Sequence, residues 1–180
     1  MACTDIPVLE DPTAGSRNRR LKILGQEEIE ALYGRPRFSE EEREQYFALT
    51  PAEQKALDEL GSIPSQITFI LQLGYFKARR LFFVFSPQEA AADIQYIQAY
   101  YFPAFQAPDF TVSKVTRLKQ QRLILALCRY KFCDDRDRRH LETKAREAAR
   151  VSGKPIYVFR QVWQALEARR LAVPGYSFLQ

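Results

Sequence analysis

The sequence contains few of the side chains from which metal centres and hydrolytic active sites are built. Its 180 residues include one histidine, His140, and three cysteines, Cys3, Cys128 and Cys133, none of them paired at C-x-x-C spacing. A structural zinc site needs four Cys or His ligands, and a Ser/His/Asp triad needs a histidine beside its nucleophile. We therefore predict no metal, no cofactor, no small-molecule substrate and no catalytic activity in this chain, and we interpret the cysteines as buried thiols.

Three neighbouring aspartates, Asp134, Asp135 and Asp137, superficially resemble a metal or nuclease cluster. They are adjacent in the chain, whereas metal ligands usually come from separate elements. Aspartate at the start of a helix is already explained by capping and by the helix dipole. We predict that Asp134 or Asp135 starts a helix that continues to Val151.

Long apolar runs are also missing. No stretch of about 18 uncharged apolar residues is present, which is the length a membrane-spanning helix needs. The N-terminus, with Asp5, Glu10 and Asp11, lacks the basic and apolar regions of a signal peptide. We expect no membrane partner and a cytoplasmic location.

The sequence does contain clear signals for where helices begin. Ser39 with Glu42, Thr50 with Glu53 and Ser86 with Glu89 each form the pattern of a capping box, and proline follows Thr50 and Ser86. These patterns predict helix starts near residues 40, 51 and 87. Dense apolar residues predict a buried helix over 64–80, and the short run 81–85 is interpreted as a buried connector rather than a strand. The sequence thus predicts an all-α chain.

Charge is segregated along this chain. Residues 112–150 contain 12 Lys or Arg and five Asp or Glu, a net charge of +7, whereas residues 26–60 contain four and ten, a net charge of −6. The whole chain is only +5. Segregated positive charge is typical of proteins that bind a polyanion.

Proline and helix signals divide the chain into an arm and two modules. Residues 1–23 are interpreted as a flexible basic arm, residues 24–105 as a first helical module and residues 110–180 as a second. In the second module a helix is predicted from Thr111 or Ser113 to about Phe132, with a projecting polar front end and a buried back end. Two further helices follow, joined by the short turn Ser152, Gly153 and Lys154, which has the length of a helix-turn-helix turn.

Candidate DNA contacts come from three places. The last helix offers residue types that can contact base edges and phosphates, namely Lys154, Tyr157, Arg160, Gln161 and Gln164. The helix before the pair has no acid between Lys114 and Arg122, so salt bridges along the helix do not explain its Lys114, Arg117, Lys119, Gln121 and Arg122. Further cations precede the first helix or end the buried one: Arg17, Arg19, Arg20, Arg79 and Arg80.

Each of these patterns also has a structural interpretation. The helix pair could be an ordinary helical hairpin with a solvated face, and the basic helix could simply be solvated. The arm could enter a minor groove or remain a disordered tail. The many aromatic residues between Tyr75 and Phe105 are interpreted as core, because they recur at helical spacing among Ile and Leu.

Three motifs resemble the N-terminal region of the large replicative transposases of the Tn-three family. They are ITFILQLGYFK at 67–77, VTRLKQQRLIL at 115–125 and the ending PGYSFLQ at 174–180. The similarity extends over nearly the whole chain from about Leu24. It implies two tandem helix-turn-helix-like bundles behind the arm, which bind the terminal inverted repeats of the transposon.

The resemblance also implies which partners the chain binds and which activity it lacks. The partners are double-stranded DNA at the transposon ends and the remainder of the transposase chain, in a bacterial cytoplasm and associated with the nucleoid. The acidic catalytic triad of such enzymes lies in a later domain, and nothing here matches it, so these 180 residues are expected to bind ends without cutting them. The alternative is a helical protein-interaction module that docks an acidic partner.

Overall fold

The described residues are mostly helical. The computed structural model describes residues 22–105 and 112–179, and within these ranges there is no sheet, only an isolated bridge between Lys131 and Leu171. The helices are α1 (Gln26–Tyr33), α2 (Glu40–Phe47), α3 (Pro51–Asp58), α4 (Ile63–Arg79), α5 (Ala91–Tyr101), α6 (Lys114–Cys128), α7 (Asp135–Val151), α8 (Pro155–Ala168) and α9 (Tyr176–Leu179). The all-α prediction is confirmed. None of these helices has the length and apolar character to span a bilayer.

Two of the three expected capping boxes start helices where the sequence predicts them. At α2 the Ser39 hydroxyl accepts the amide N–H of Glu42 at 3.2 Å, and the Glu42 carboxylate accepts the Ser39 amide at 2.9 Å. Thr50 and Glu53 make the same exchange at α3. The third box also forms, between Ser86 and Glu89, but it closes an irregular turn. The predicted start near residue 87 is therefore wrong, because regular helix begins only at Ala91.

The main core is built around α4, which confirms the buried helix predicted over 64–80. Its residues Ile67, Phe69, Ile70, Leu71, Leu73, Tyr75 and Phe76 are all almost fully buried. Nearly every side of α4 is covered because α2, α3, α5 and α6 all contact it. At Gly74 a Cβ would lie only 2.5 Å from the ring of Phe47, so the close approach of α2 requires glycine there. The connector 81–85 is half-buried rather than buried, and its Val84 is exposed.

Helix α6 belongs to this core. Gln120, which is only 2% exposed, donates through Nε2 to both the carbonyl and the hydroxyl oxygen of Ser65, each at 2.8 Å. It also accepts a hydrogen bond from Gln72 at 3.1 Å, and Ile124 is fully buried beneath it. The front end of α6 was expected to project, but this polar side chain holds one side of it against α4. The helix ends at Cys128, four residues before the predicted end, because Arg129 adopts a left-handed φ of 57°.

The buried apolar residues form two clusters, and the larger one contains residues of α2 to α6 together with Ala172 near the C-terminus. A second, smaller core contains Leu141, Val162, Leu166 and Leu171, from α7, α8 and the segment that follows them. The sequence placed its module boundary in the proline segment 103–109, before α6, because composition does not reveal that α6 contacts α4. The organisation into two DNA-binding modules stays a prediction.

Helices α7 and α8 form an antiparallel hairpin. Asp137 lies near the start of α7 and Arg169 follows the end of α8, yet Arg169 Nη2 is 2.8 Å from Asp137 Oδ1. Asp137 and Arg169 each lie about 21 Å along the helix direction from the turn, so a helix-turn-helix angle of about 90–120° would separate them by roughly 20–30 Å. The two helices therefore run antiparallel, and the short turn between them closes a hairpin. Gly153 in the turn has no left-handed φ and nothing within 4 Å of a Cβ position.

The N-terminal helix α1 attaches to the C-terminal part of the chain. The hydroxyl of Tyr176 accepts the amide N–H groups of Ile23 at 3.2 Å and of Leu24 at 3.0 Å. The Tyr33 ring contacts Trp163 of α8 edge-on, with centroids 6.0 Å apart. Helix α1, which the sequence assigned to the first module, therefore lies beside α8.

Candidate nucleic-acid interface

One side of α6 is exposed and carries only basic, aliphatic and small side chains. Exposed positions recur at i, i+3, i+4, i+7 and i+11, the spacing of a single helix face. We call this surface the outer face of α6, and it consists of Lys114, Val115, Leu118, Lys119, Arg122 and Ala126. Arg129, directly after the helix, continues it.

Positive charge on the outer face has no internal partner. No acid occurs anywhere from Lys114 to Cys133. Among the residues that the structure describes, none of the basic residues of the outer face forms an ion pair. Elsewhere in the chain, by contrast, Arg43 is paired with Asp93 at 2.8 Å and Lys77 with Glu53 at 2.9 Å. The outer face is therefore a source of uncompensated positive potential.

The inner side of α6 fixes this face in place. Ser113 caps the helix by accepting the Thr116 amide N–H at 3.1 Å, and the buried Gln120 and Ile124 anchor the opposite side. Two predicted contact residues lie at the margin of this anchored side. Gln121 is half-buried, and Arg117 is half-buried and lines a cavity with Thr68. The outer face is therefore presented on a rigid support.

The predicted contact residues of α8 are placed differently. Lys154, Arg160 and Gln164 are exposed, whereas Tyr157 and Gln161 are half-buried. Arg160 and Gln164 line a cleft of about 520 Å³ whose other wall is formed by Leu24, Glu28, Ala31 and Leu32. Glu28 of α1 therefore lies beside the face that was expected to contact DNA.

Arg79 and Arg80, predicted as DNA contacts of the first module, are half-buried at the end of α4. Arg80 has a left-handed φ of 58° and donates through Nη1 to the carbonyl of Lys77 at 2.6 Å, which caps its own helix. Its guanidinium also lies 5.3 Å from the ring centroid of Tyr130. Arg80 thus joins α4 to the segment after α6. Arg17, Arg19 and Arg20 fall outside the described residues, as do residues 1–21 of the predicted arm.

Exposed cations continue along α7, but some are neutralised. Arg136, Arg139, Arg146 and Arg150 are exposed, while Arg138 pairs with Glu142 at 3.4 Å and Lys144 with Glu147 at 2.8 Å. These pairs lie on the solvated surface, where each is worth only a few tenths of a kcal/mol. Helix α7 therefore adds positive charge, but less per residue than α6.

The aspartates at the start of α7 have structural roles. Asp134 caps the helix by accepting the amides of Arg136 and Asp137, each at 2.8 Å. Asp137 is fully buried, and the ammonium of Lys131, together with the guanidinium of Arg169, holds the pKa of that carboxyl well below its usual range. The interpretation of these residues as a helix start is confirmed.

The two cysteines in the described ranges are half-buried rather than buried. Both Cys128 and Cys133 are free thiols, and burial raises the pKa of each. A raised pKa lowers the thiolate fraction at neutral pH, so neither is an activated nucleophile. No group of three His, Cys, Asp or Glu side chains converges as a metal site in residues 22–105 and 112–179.

A protein-family model matches residues 23–180 of the chain. The matching family is described as a domain of unknown function, DUF4158. The chain belongs to this domain family. No curated protein and no solved structure matches the chain.

Sequence reasoning missed three members of the outer face, namely Ala126 and the larger Val115 and Leu118. Val115 and Leu118 appear in the sequence as the apolar exceptions in a polar stretch, and such residues normally face a core. In the structure Val115 is 63% and Leu118 45% exposed. The available signal was the spacing of 115, 118, 119 and 122, which places the aliphatic and basic side chains on one face.

Proposed function

We propose that this DUF4158 chain binds double-stranded DNA at the terminal inverted repeats of a transposon, as the N-terminal part of a replicative transposase of the Tn-three family. The observation that carries the proposal is the unpaired positive charge of the outer face of α6. The motif resemblance supports it, and this domain family is found in transposases of that family. In this proposal the cutting and joining chemistry belongs to residues outside this chain.

The shape of α6 fits the partner. The helix has 15 residues, which corresponds to about 22 Å, and the major groove of B-DNA is about 12 Å wide and admits an α-helix. Its basic side chains have no acidic neighbour on the same face, so contact with phosphates would release counterions without breaking an internal ion pair. This favours a phosphate-rich partner.

Helix α6 is a better candidate than α8 for the groove. Insertion of α8 through Arg160 and Gln164 would bring the carboxylates of α1, including Glu28, towards the phosphate backbone. Like charges in close contact are repelled, and the cost increases in a poorly hydrated interface. Among the described residues, no basic side chain of the outer face of α6 is paired with a carboxylate.

A salt-dependent titration tests the proposal. The chain would be titrated by fluorescence anisotropy against a duplex carrying the terminal inverted repeat of the encoding element and against a scrambled duplex, between about 50 and 200 mM salt. We expect tighter binding to the repeat, and Lys119→Ala should lower the slope of log K against log salt by about 1. The matched control is Lys55→Ala, at an exposed lysine in the acidic segment 26–60, and this variant should leave the slope unchanged.

The alternative is a helical module that docks an acidic protein. Equal affinity for both duplexes, together with equal or tighter binding to polyglutamate, would support that alternative and contradict DNA recognition. Tight binding to both duplexes without a preference would reduce the proposal to a general polyanion surface.

A further inference from the structure

Two aliphatic side chains lie in the middle of the basic outer face of α6 and belong to neither hydrophobic core. Val115 and Leu118 are one helical turn apart and are substantially exposed. Single exposed aliphatic residues are common on protein surfaces and need no explanation. Here, however, two occupy neighbouring positions on the one face whose cations are unpaired.

The order of side chains around the helix separates aliphatic from basic groups. At about 100° per residue, Lys114 and Lys119 lie about 140° apart, and Leu118, Arg122 and Val115 fall between them. The two lysines therefore border the face, while the aliphatic pair and Arg122 occupy its centre. A helix lying in a groove directs the borders of its buried face towards the two sugar-phosphate walls and the centre towards the base edges.

The floor of the major groove has one apolar group that such a centre can contact. Each thymine presents its 5-methyl group there, beside hydrogen-bonding groups that are polar, and aliphatic side chains contact this methyl. An arginine at the centre of the face has the matching geometry for the O6 and N7 acceptors of guanine. The minor groove offers no methyl group, so the aliphatic pair favours the major groove.

We propose that α6 lies in the major groove with Val115 and Leu118 against thymine 5-methyl groups, so that these two residues contribute to the sequence preference of the chain. The inference rests on the proposed DNA-binding function and adds to it the groove, the helix and the chemical group that is recognised. Arg122 faces a neighbouring base pair, and Lys114 and Lys119 contact phosphates on opposite walls.

Replacing thymine by deoxyuridine tests this directly, because it removes the 5-methyl group and leaves base pairing intact. The probe is the duplex that the full chain enriches from a randomised library, compared with the same duplex synthesised with deoxyuridine at every thymine. We expect the deoxyuridine duplex to bind the wild-type chain about fourfold more weakly for each methyl in contact, which is about 0.8 kcal/mol at 1.4 kcal/mol per factor of ten.

Side-chain truncations complete a double-mutant cycle. Leu118→Ala and Val115→Ala should each bind the thymine duplex more weakly, and each should lose the roughly fourfold share of the deoxyuridine sensitivity that comes from the methyl it contacts, so that only the double variant loses most of it. Alanine is a strong helix former and both positions are exposed, so the fold should be retained, which circular dichroism would check. Val151→Ala, at an exposed valine of α7, is the matched control and should keep the wild-type sensitivity.

The outcomes separate this inference from the function on which it rests. Equal binding of thymine and deoxyuridine duplexes by a wild-type chain that still rejects a scrambled duplex would overturn the methyl contact and leave DNA recognition intact. Equal sensitivity to deoxyuridine in wild-type chain and in Leu118→Ala would also overturn it. A wild-type chain that enriches no sequence from the library would contradict the proposed function itself.

Discussion

Arg169 donates two hydrogen bonds to the same carboxylate oxygen of Asp137, from Nε at 3.0 Å and from Nη2 at 2.8 Å. The two residues are 32 positions apart, and the carboxylate is fully buried whereas the guanidinium is partly exposed. Lys131 approaches the other oxygen of the same carboxylate. This contact joins the far ends of α7 and α8 and therefore fixes the hairpin as antiparallel.

Replacing this carboxylate should loosen the hairpin. Asp137→Asn removes the charge that two cations share, and hydrogen bonds to charged groups contribute about 1.5–3 kcal/mol each when buried. We expect the thermal midpoint to fall by about 4–8 °C, because 1 kcal/mol corresponds to about 2–4 °C in a chain of this size. Arg138→Ala, which removes only an exposed pair with Glu142, is the control and should change the midpoint by less than about 2 °C. Equal midpoints for wild-type and Asp137→Asn chains would contradict the role assigned to this contact.

The contribution of the Asp137 carboxylate to the stability of the fold should depend on pH. Its pKa is lowered in the folded chain by Lys131 and Arg169, so its contribution is complete above the ordinary Asp pKa of about 3.9 and is lost as the pH falls towards the folded value. The stability difference between wild-type and Asp137→Asn chains should therefore be constant near neutral pH and shrink below about pH 4. Urea titrations at several pH values measure it, and a difference that grows on acidification would contradict the assignment.

Gly74 should tolerate no larger residue. Gly74→Ala places a methyl group 2.5 Å from the ring of Phe47, which requires α2 to move away from α4. Overpacking of this kind costs about 1–3 kcal/mol. Gly61→Ala, where nothing lies within 4 Å of the new methyl, is the matched control and should be neutral. Chemical denaturation of both variants measures the difference, and equal stability would show that the contact between α2 and α4 is looser than described.

Trp163 should report on the attachment of α1, because it is the single tryptophan of the chain. Tyr176→Phe removes the hydroxyl that accepts the amides of Ile23 and Leu24, and Tyr33→Ala removes the ring that contacts Trp163. Each change should expose the indole and move its emission to longer wavelength, while far-ultraviolet circular dichroism stays close to the wild-type signal. Tyr157→Phe, on α8 but outside this aromatic contact, should leave the emission unchanged. An unchanged emission in Tyr33→Ala would contradict the position of α1.

Two arginines distinguish α6 from α8 as the DNA-contacting helix. Arg122→Ala should weaken binding to the enriched duplex by about tenfold or more, since a good arginine–guanine contact contributes about 1–3 kcal/mol. Arg160→Ala should change the affinity by less than about twofold, because that side chain lies in the cleft beside α1. Anisotropy titrations measure both values. The reverse order of effects would assign recognition to α8, as the sequence alone suggested.

Much of the secondary structure was predictable because its signals are local. Ser39 and Thr50 exchange hydrogen bonds with residues three positions away, so their sequence patterns contain the whole interaction. Ser86 has the same pattern and forms the same hydrogen bonds, yet these bonds close a turn. The pattern does not determine whether the residues that follow continue as a helix. The end of α6 was less predictable. The left-handed residue that ends this helix is Arg129, whereas glycine is the residue type that usually marks such an end in a sequence.

The candidate surface was predictable only in part. The absence of acids after Lys114 was visible in the chain and correctly located Lys114, Lys119 and Arg122 on an exposed face. Arg80 looked equally available, but it caps α4 and contacts Tyr130, fifty residues away. Gln120 looked like one more polar surface residue, although Ser65 and Gln72 satisfy its hydrogen bonds in the interior.

The sequence by itself determined the helical class, most of the helix boundaries and the segregation of charge, because capping, periodicity and composition act over a few neighbouring residues. Only the tertiary structure decided that α6 joins the main core, that α7 and α8 run antiparallel, and that α1 shields one side of α8. Those choices depend on contacts between residues far apart in the chain, such as Gln120 with Ser65 and Asp137 with Arg169. Such contacts also decide which cations remain free to meet a partner.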